Sequence, residues 1–394
     1  MRAVLWILLA AVLSSCLASF ASQPAPDNPE TGASRFQAET DRIREEFGFP
    51  GMTASYVLKD GKSGHASSGL ADVESKRPMT DNSRMLAAST GKSFVGALAV
   101  ALAKEGRLKL DEPVSRWLGK YDWFHRLPNH ESITLMHLLT HSAGLPDHVH
   151  MEAFQKAFAS EWRSAENPFP PERLVGFILD KGALFPAGKG WAYSDTGYIL
   201  AGIVLEEATG RACYDEIRER FLDPLRLSDT SASDRRGLDR LASGYMSPNN
   251  PFGLPAKTLD DNSRLYWHPG VEWTGGGLAS TSRDLARWGD ALFTGKAMSG
   301  DYLPELLRSV IIDPVSPDTR YGAGVAVYTN DRFGPVYGHA GWIPGYVSSF
   351  RHYADYGMTV AFQINTDIGV IDSDEDVLRN VEERLMQVLI WENK

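Results

Sequence analysis

The chain has 394 residues, of which 43% are hydrophobic and 23% charged, and its 40 Lys+Arg against 50 Asp+Glu give a formal net charge of −10. That length predicts two to three domains or one large two-part enzyme, with a core large enough to need no disulfide or metal staple. The acidic balance argues against nucleic-acid binding, which needs a basic face for phosphate. With no collagen period, heptad run or low-complexity block, fibrous and disordered classes are also excluded.

In chain order, Arg2 precedes an unbroken apolar run over residues 3–13, too short to span a bilayer but of the right length for a signal-peptide core. Two processing readings compete. Ser19-Phe20-Ala21 offers small residues for ordinary cleavage, whereas Leu13-Ser14-Ser15-Cys16 resembles a bacterial lipobox, in which Cys16 is acylated and attaches the protein to a membrane. Cys16 is also simply a small apolar residue of the signal. Both processing routes predict export to the periplasm or cell envelope. Residues 1–22 are thus a signal segment, the Pro-rich residues 23–32 a tether, and 33–394 the folded domain. Cys213 is the only other cysteine, so the mature chain holds no internal disulfide.

A helix carrying Phe36, Ile43 and Phe47 on one face follows. Residues 52–58 and 65–70 read as strands joined at Asp60-Gly61. Residues 93–103 are so apolar that they predict a helix buried on every side. Helical segments dominate from 108 to 292. Strand patterning returns at 321–329, 338–340, 345–352 and 358–365, and a last helix carries the stripe Val377, Val381, Leu385, Leu389. The predicted fold is α/β (α+β): one antiparallel sheet built from both chain ends (33–88 and 300–394) with flanking helices, plus an inserted, mostly helical half (89–299). A site is expected in the seam.

Ser89-Thr90-Gly91-Lys92 heads the buried helix and places Ser and Lys one turn apart on one face. A serine hydroxyl needs a base to become a nucleophile, and a desolvated lysine can be one. The pattern alone is weak, since an N-cap serine followed by a surface lysine looks the same. Trp191-Ala192-Tyr193-Ser194-Asp195 brings an aromatic hydroxyl to the head of a second apolar helix, and Gly338-His339-Ala340-Gly341 ends a strand.

Together, Ser89-x-x-Lys92, Tyr193-Ser194-Asp195 and His339-Ala340-Gly341 resemble the three signature motifs of the serine β-lactamase and penicillin-binding-protein superfamily. Their order and spacing are similar to the class C-like branch, which includes D-alanyl-D-alanine carboxypeptidases, D-aminopeptidases and esterases. The resemblance implies that Ser89 is acylated and that Lys92 and Tyr193 share the proton work. It also implies an oxyanion hole made by the backbone N–H groups of Ser89 and Trp342, and Asp195, His339 and Gly341 beside the substrate. No metal or cofactor is implied. The leading function is therefore a serine hydrolase acting on a small ester, amide or peptide. The alternatives are a cell-wall carboxypeptidase, D-aminopeptidase or β-lactamase, and a non-catalytic penicillin- or muropeptide-binding protein.

Two departures from the family pattern bear on substrate. Asp195 stands where Asn is usual, which predicts an ion pair with Lys92 and moves the expected base toward Tyr193. Ala340 stands where a hydroxyl residue is usual and Trp342 follows, which predicts weak binding of a substrate carboxylate and a preference for esters or uncharged amides. His137 and His141, four residues apart, read as structural histidines rather than metal ligands, and Gly275-Gly276-Gly277 as a tight turn over the cleft.

Overall fold

A computed structural model describes residues 32–250, 252–371, 373 and 375–392. The signal segment, Cys16 and the tether up to residue 31 lie outside the described residues, and Gly32 already begins the first helix.

The strand Gly51–Val57 is buried at every position, so its period-two pattern is masked by apolar and small residues on both faces. It lies inside a nine-stranded antiparallel sheet. From edge to edge the order is Arg77–Pro78, Ser63–Asp72, Gly51–Val57, Met358–Ile364, Tyr346–Tyr353, Gly334–Ile343, Ala326–Asp331, Ser316–Tyr321 and Val310–Asp313. Met52 faces Ser68 on one side and Ile364 on the other, so the two ends of the chain meet at the middle of the sheet.

Helices Gly32–Phe47 and Val377–Glu392 cover one face, with Phe36, Ile43, Val381, Leu385 and Leu389 against Met52, Ala54, Val360 and Phe362. Helix Ser282–Phe293 covers the other, where a Cβ on Gly289 would come within 2.8 Å of the Phe350 ring. Phe94 of the buried helix Lys92–Lys104 stacks on Trp288 at 4.0 Å between ring centres. That contact joins the sheet to the helical half. A small sheet of Met85–Leu86, Leu278–Ser280 and Ser231–Ala232 lies between them.

The antiparallel sheet drawn from both ends is as the sequence predicts, with three differences. The expected strand 321–329 is interrupted, because Gly322 and Gly324 (φ +77°) turn the chain between Ser316–Tyr321 and Ala326–Asp331. The expected strand 338–340 extends to Gly334–Ile343. Helix Ser282–Phe293, assigned to the helical half, lies on the sheet, where its Ser282 hydroxyl is 2.9 Å from that of Ser55.

Candidate active site

Ser89 sits in a 3-10 turn, Ala88–Gly91, just ahead of helix Lys92–Lys104 rather than within its first turn. Ala88 is held at φ +50°, a left-handed conformation unusual for a residue with a Cβ. The contacts that hold it there are long-range. The Ala87 N–H donates to the Leu278 carbonyl at 2.8 Å, and the Ala87 carbonyl accepts from the Ser348 hydroxyl at 2.6 Å. Gly276 and Gly341 press on the turn from two sides: a Cβ on either would lie 2.9 Å from the Ser89 nitrogen. The strand Gly334–Ile343 loses its Ala326–Asp331 neighbour beyond Gly338, which leaves the stretch from His339 onward to face Ser89.

Lys92 is fully buried, and an ammonium has three protons to donate. They meet Ser89 Oγ at 2.9 Å, Asp195 Oδ1 at 2.5 Å and, through a short contact, the Gly275 carbonyl. Burial, the largest single influence, pushes its pKa down, but Asp195 and Tyr193 together outweigh it and the net shift is upward. The ion pair foreseen between Asp195 and Lys92 is therefore present, and it opposes a neutral lysine. The Lys92 ammonium lies 4.9 Å from the Tyr193 ring centre, which puts the phenol in the same buried group as Lys92 and Ser89. Burial raises the phenol to about 12, with Lys92 pulling the other way. Both groups thus keep their protons at neutral pH.

Helix Asp195–Thr209 positions Asp195 and is capped by Ser194, whose hydroxyl accepts from the Gly197 N–H. Buried His141, at φ +57°, accepts the Ser194 N–H on Nδ1 at 3.1 Å and sets its ring 4.1 Å from that of Tyr193. His141 is structural as expected, although its Nε2 has no hydrogen-bond partner. His137 does different work, capping helix Leu135–Leu139 at Thr134. His339 is buried, with Nδ1 donating to the Ala340 carbonyl and Nε2 accepting from Tyr321 at 2.7 Å. Burial and then Lys92 lower its pKa to about 3, so it is a neutral partner of Tyr321.

An apolar pocket opens beside this group, lined by Phe154, Phe158, Phe252, Trp267, Trp342 and, at its inner end, Asp195, Glu272 and Gly275. Trp342 is 39% exposed and donates its indole N–H to Asp367 at 3.1 Å, so an aromatic wall is present at the mouth. Burial lifts the Glu272 carboxyl to about 8 and the Asp147 carboxyl to about 7, with Asp195 reinforcing both.

Residues 36–381 match the family model described as Beta-lactamase. The chain belongs to the beta-lactamase family. Two curated relatives are penicillin-binding protein 4* of Bacillus subtilis, 26% identical over 77% of this chain, and esterase EstB of Burkholderia gladioli, 29% identical over 71%. The matches span 65% of the first relative and 70% of the second. Among solved structures, D-amino acid amidase from Ochrobactrum anthropi SV3 superimposes with a TM-score of 0.75 at 25% identity, over 91% of this chain and 98% of the other. The family match extends over most of the described residues of the chain.

For a member of this family, one expectation needs correction. Along Gly334–Ile343, His339 and Gly341 face the nucleophile side, whereas Ala340 is paired with Ser349 and shares its face with Arg351. Ala340 lines a separate cavity behind the sheet with Arg351 and Glu382. Its methyl therefore does not stand where a substrate-binding hydroxyl would be missed, because the period-two alternation turns it away from Ser89. Glu272 and Asp147 were not singled out from sequence. Glu272 precedes the Gly275–Gly277 turn by one helical turn, and that proximity was the available signal. Asp147 carried none.

Proposed function

We propose that this chain is an exported serine hydrolase that opens carboxylic esters and amides through an acyl-enzyme on Ser89. The observation supporting this is the contact of Lys92 Nζ with Ser89 Oγ at 2.9 Å, with the Tyr193 ring centre 4.9 Å from the same ammonium. In the reactive form the Lys92–Tyr193 pair has released one proton, and the Lys92 ammonium stabilises the phenolate. As Ser89 Oγ attacks the carbonyl carbon, its proton passes to the Tyr193 oxygen, and the phenol then protonates the leaving oxygen or nitrogen. The N–H groups of Ser89 and Trp342 receive the oxyanion, a contribution of about 3–4 kcal/mol for one such donor. Water deacylates Ser89 by the reverse proton route.

The test is intact-protein mass spectrometry during turnover of p-nitrophenyl butyrate, with p-nitrophenyl esters, amino acid amides, a D-Ala-D-Ala peptide and nitrocefin compared side by side. A butyryl adduct on the wild type and none on Ser89→Ala is the expected result. An active Ser89→Ala variant would overturn it. The carboxypeptidase alternative needs a group to hold a substrate carboxylate, and the carboxyls of Asp195 and Glu272 at the inner end of the pocket oppose one. The Lys92–Asp195 pair favours a second reading, a penicillin-binding protein that acylates without turnover. A stable adduct with no product release would identify it. Export, and membrane attachment through Cys16, are tested by mass spectrometry of the mature N-terminus and by fractionation of a Cys16→Ala variant.

A further inference from the structure

The cavity behind the sheet owes its floor to strand register. Along Gly334–Ile343, the residues that alternate with His339 and Gly341 are Val336, Gly338 and Ala340. They pair across Tyr346–Tyr353 with Tyr353, Arg351 and Ser349. Gly338 has no side chain and Ala340 only a methyl, so room is left over the sheet beside Arg351. The start of helix Val377–Glu392 roofs this space with Leu378, Arg379, Glu382 and Glu383, and Tyr328 and Phe333 close its flank. The space amounts to about 280 Å³, near the lower end of the range for small-ligand pockets.

Arg351 is the group left wanting. It is buried, with Nε 3.0 Å from Glu382 Oε1 and its guanidinium carbon 5.3 Å from the Tyr328 ring centre. Its Nη1 has no hydrogen-bond partner among the described residues. Glu382 is shared, because its Oε1 also accepts from the Ser349 hydroxyl at 2.5 Å. A buried charged donor without an acceptor is costly, so a ligand that brings an acceptor is favoured.

The rest of the lining says which acceptor. Among its described residues, the guanidinium groups of Arg351 and Arg379 face four carboxyl groups, those of Asp331, Asp376, Glu382 and Glu383. Arg379 is committed to Asp331 and Glu383, at 2.9 Å each. An added anion would meet this acidic excess, so a neutral acceptor suits the cavity better. Carboxylates accept hydrogen bonds and offer none, whereas a hydroxyl both donates and accepts. A molecule with several hydroxyls therefore serves Arg351 and the acids together. The rings of Tyr328, Phe333 and Tyr353 add apolar surface against which C–H groups pack.

We infer that this cavity binds a neutral polyhydroxylated ring, a single monosaccharide unit, whose hydroxyls bridge Arg351 and the carboxyl groups while its C–H face lies against the tyrosine rings. The site lies on the far face of the strand Gly334–Ile343 from Ser89, and it is independent of the serine chemistry.

Calorimetry on the full chain tests this with D-glucose, D-galactose and N-acetyl-D-glucosamine, against sodium acetate as an anion and cyclohexanol as a ring with one hydroxyl. At least one sugar is expected to bind with a Kd of about 1 mM or tighter, and at least tenfold more tightly than acetate or cyclohexanol. Ser89→Ala should bind it equally well, and Ala340→Leu, which fills the cavity, should weaken it at least tenfold. Hydrogen exchange on the wild type locates the site without a substitution: the sugar should slow exchange in residues 326–340 and 376–383 and leave 92–104 unchanged. Absence of sugar binding, acetate bound as tightly as the sugar, or protection confined to other segments overturns the inference. A sugar lost in Ser89→Ala also overturns it, since the ligand then sits at the nucleophile. So does a folded Ala340→Leu variant of unchanged affinity; if that variant does not fold, the exchange map decides.

Discussion

Gly276 lies against the backbone of Ser89: a Cβ at position 276 would sit 2.9 Å from the Ser89 nitrogen. Gly276 also adopts φ +153°, where a side chain adds strain of about 1–3 kcal/mol. Gly276→Ala should therefore displace the nucleophile turn and slow acylation of Ser89 at least tenfold. Stopped-flow release of p-nitrophenol, with thermal unfolding as the control, measures both effects. Unchanged acylation would show that the turn does not depend on this contact.

Asp195→Asn removes the charge that holds Lys92 protonated. Because Lys92 titrates higher in the folded protein than unfolded, its contribution to stability is fully present below the ordinary lysine pKa and fades as pH rises through the folded value. The substitution should thus destabilise at pH 7, by about 2 kcal/mol for a hydrogen bond to a charged group. It should also move the rising limb of the kcat/KM–pH profile to lower pH, since the Lys92–Tyr193 pair releases its proton more readily. An unshifted profile would mean that Asp195 does not control the proton inventory.

Stability should fall on both sides of neutrality. Burial lowers His339 to about 3 and both His148 and His352 to about 4. Their contribution is complete above the unfolded value near 6.5 and declines as pH falls toward the folded values. At pH 5 each should have lost about 2 kcal/mol. Glu272, raised to about 8, acts in the opposite direction, with stability lost as pH rises from the ordinary carboxyl range to 8. Glu272→Gln should therefore raise the midpoint of urea unfolding at pH 8 and leave it nearly unchanged at pH 4. A variant equally stable or less stable at pH 8 would contradict the burial argument.

Ala340→Thr adds its hydroxyl to the cavity of Arg351 and Glu382, on the far face of the strand from Ser89. Fluorescent-penicillin labelling of this variant should differ from wild type by less than twofold, even combined with a carboxylate-bearing substrate. In that same cavity Glu382 pairs with buried Arg351 at 3.0 Å and accepts from Ser349 at 2.5 Å. Glu382→Ala should cost about 3–5 kcal/mol, because it leaves a buried guanidinium without its counter-ion. Urea titration reads this directly.

Much of this architecture is legible in residue pattern. The apolar run after Lys92 foretells a helix buried on all sides, and Asp60-Gly61 foretells a hairpin. The family motifs lead to Ser89, Lys92 and Tyr193, and the replacement of Asn by Asp foretells the Lys92–Asp195 pair. What escapes has a physical reason. The break between Tyr321 and Ala326 depends on a glycine turn inside an otherwise strand-like run. Ala340 was misplaced because a motif written as three letters does not say that its middle residue points to the other face of the sheet. Glu272 and Asp147 resemble any surface acid in sequence, and only tertiary packing puts them next to Asp195.

The pairing of Gly51–Val57 with Met358–Ile364 also has a consequence for biosynthesis. As the chain leaves the ribosome, the first hairpin waits until Met358–Ile364 has been made before its open edge finds a neighbour. Contacts so distant in sequence form slowly, and an unpaired edge invites aggregation in the interval. A nascent chain of this design would benefit from a holding chaperone until its last strands arrive.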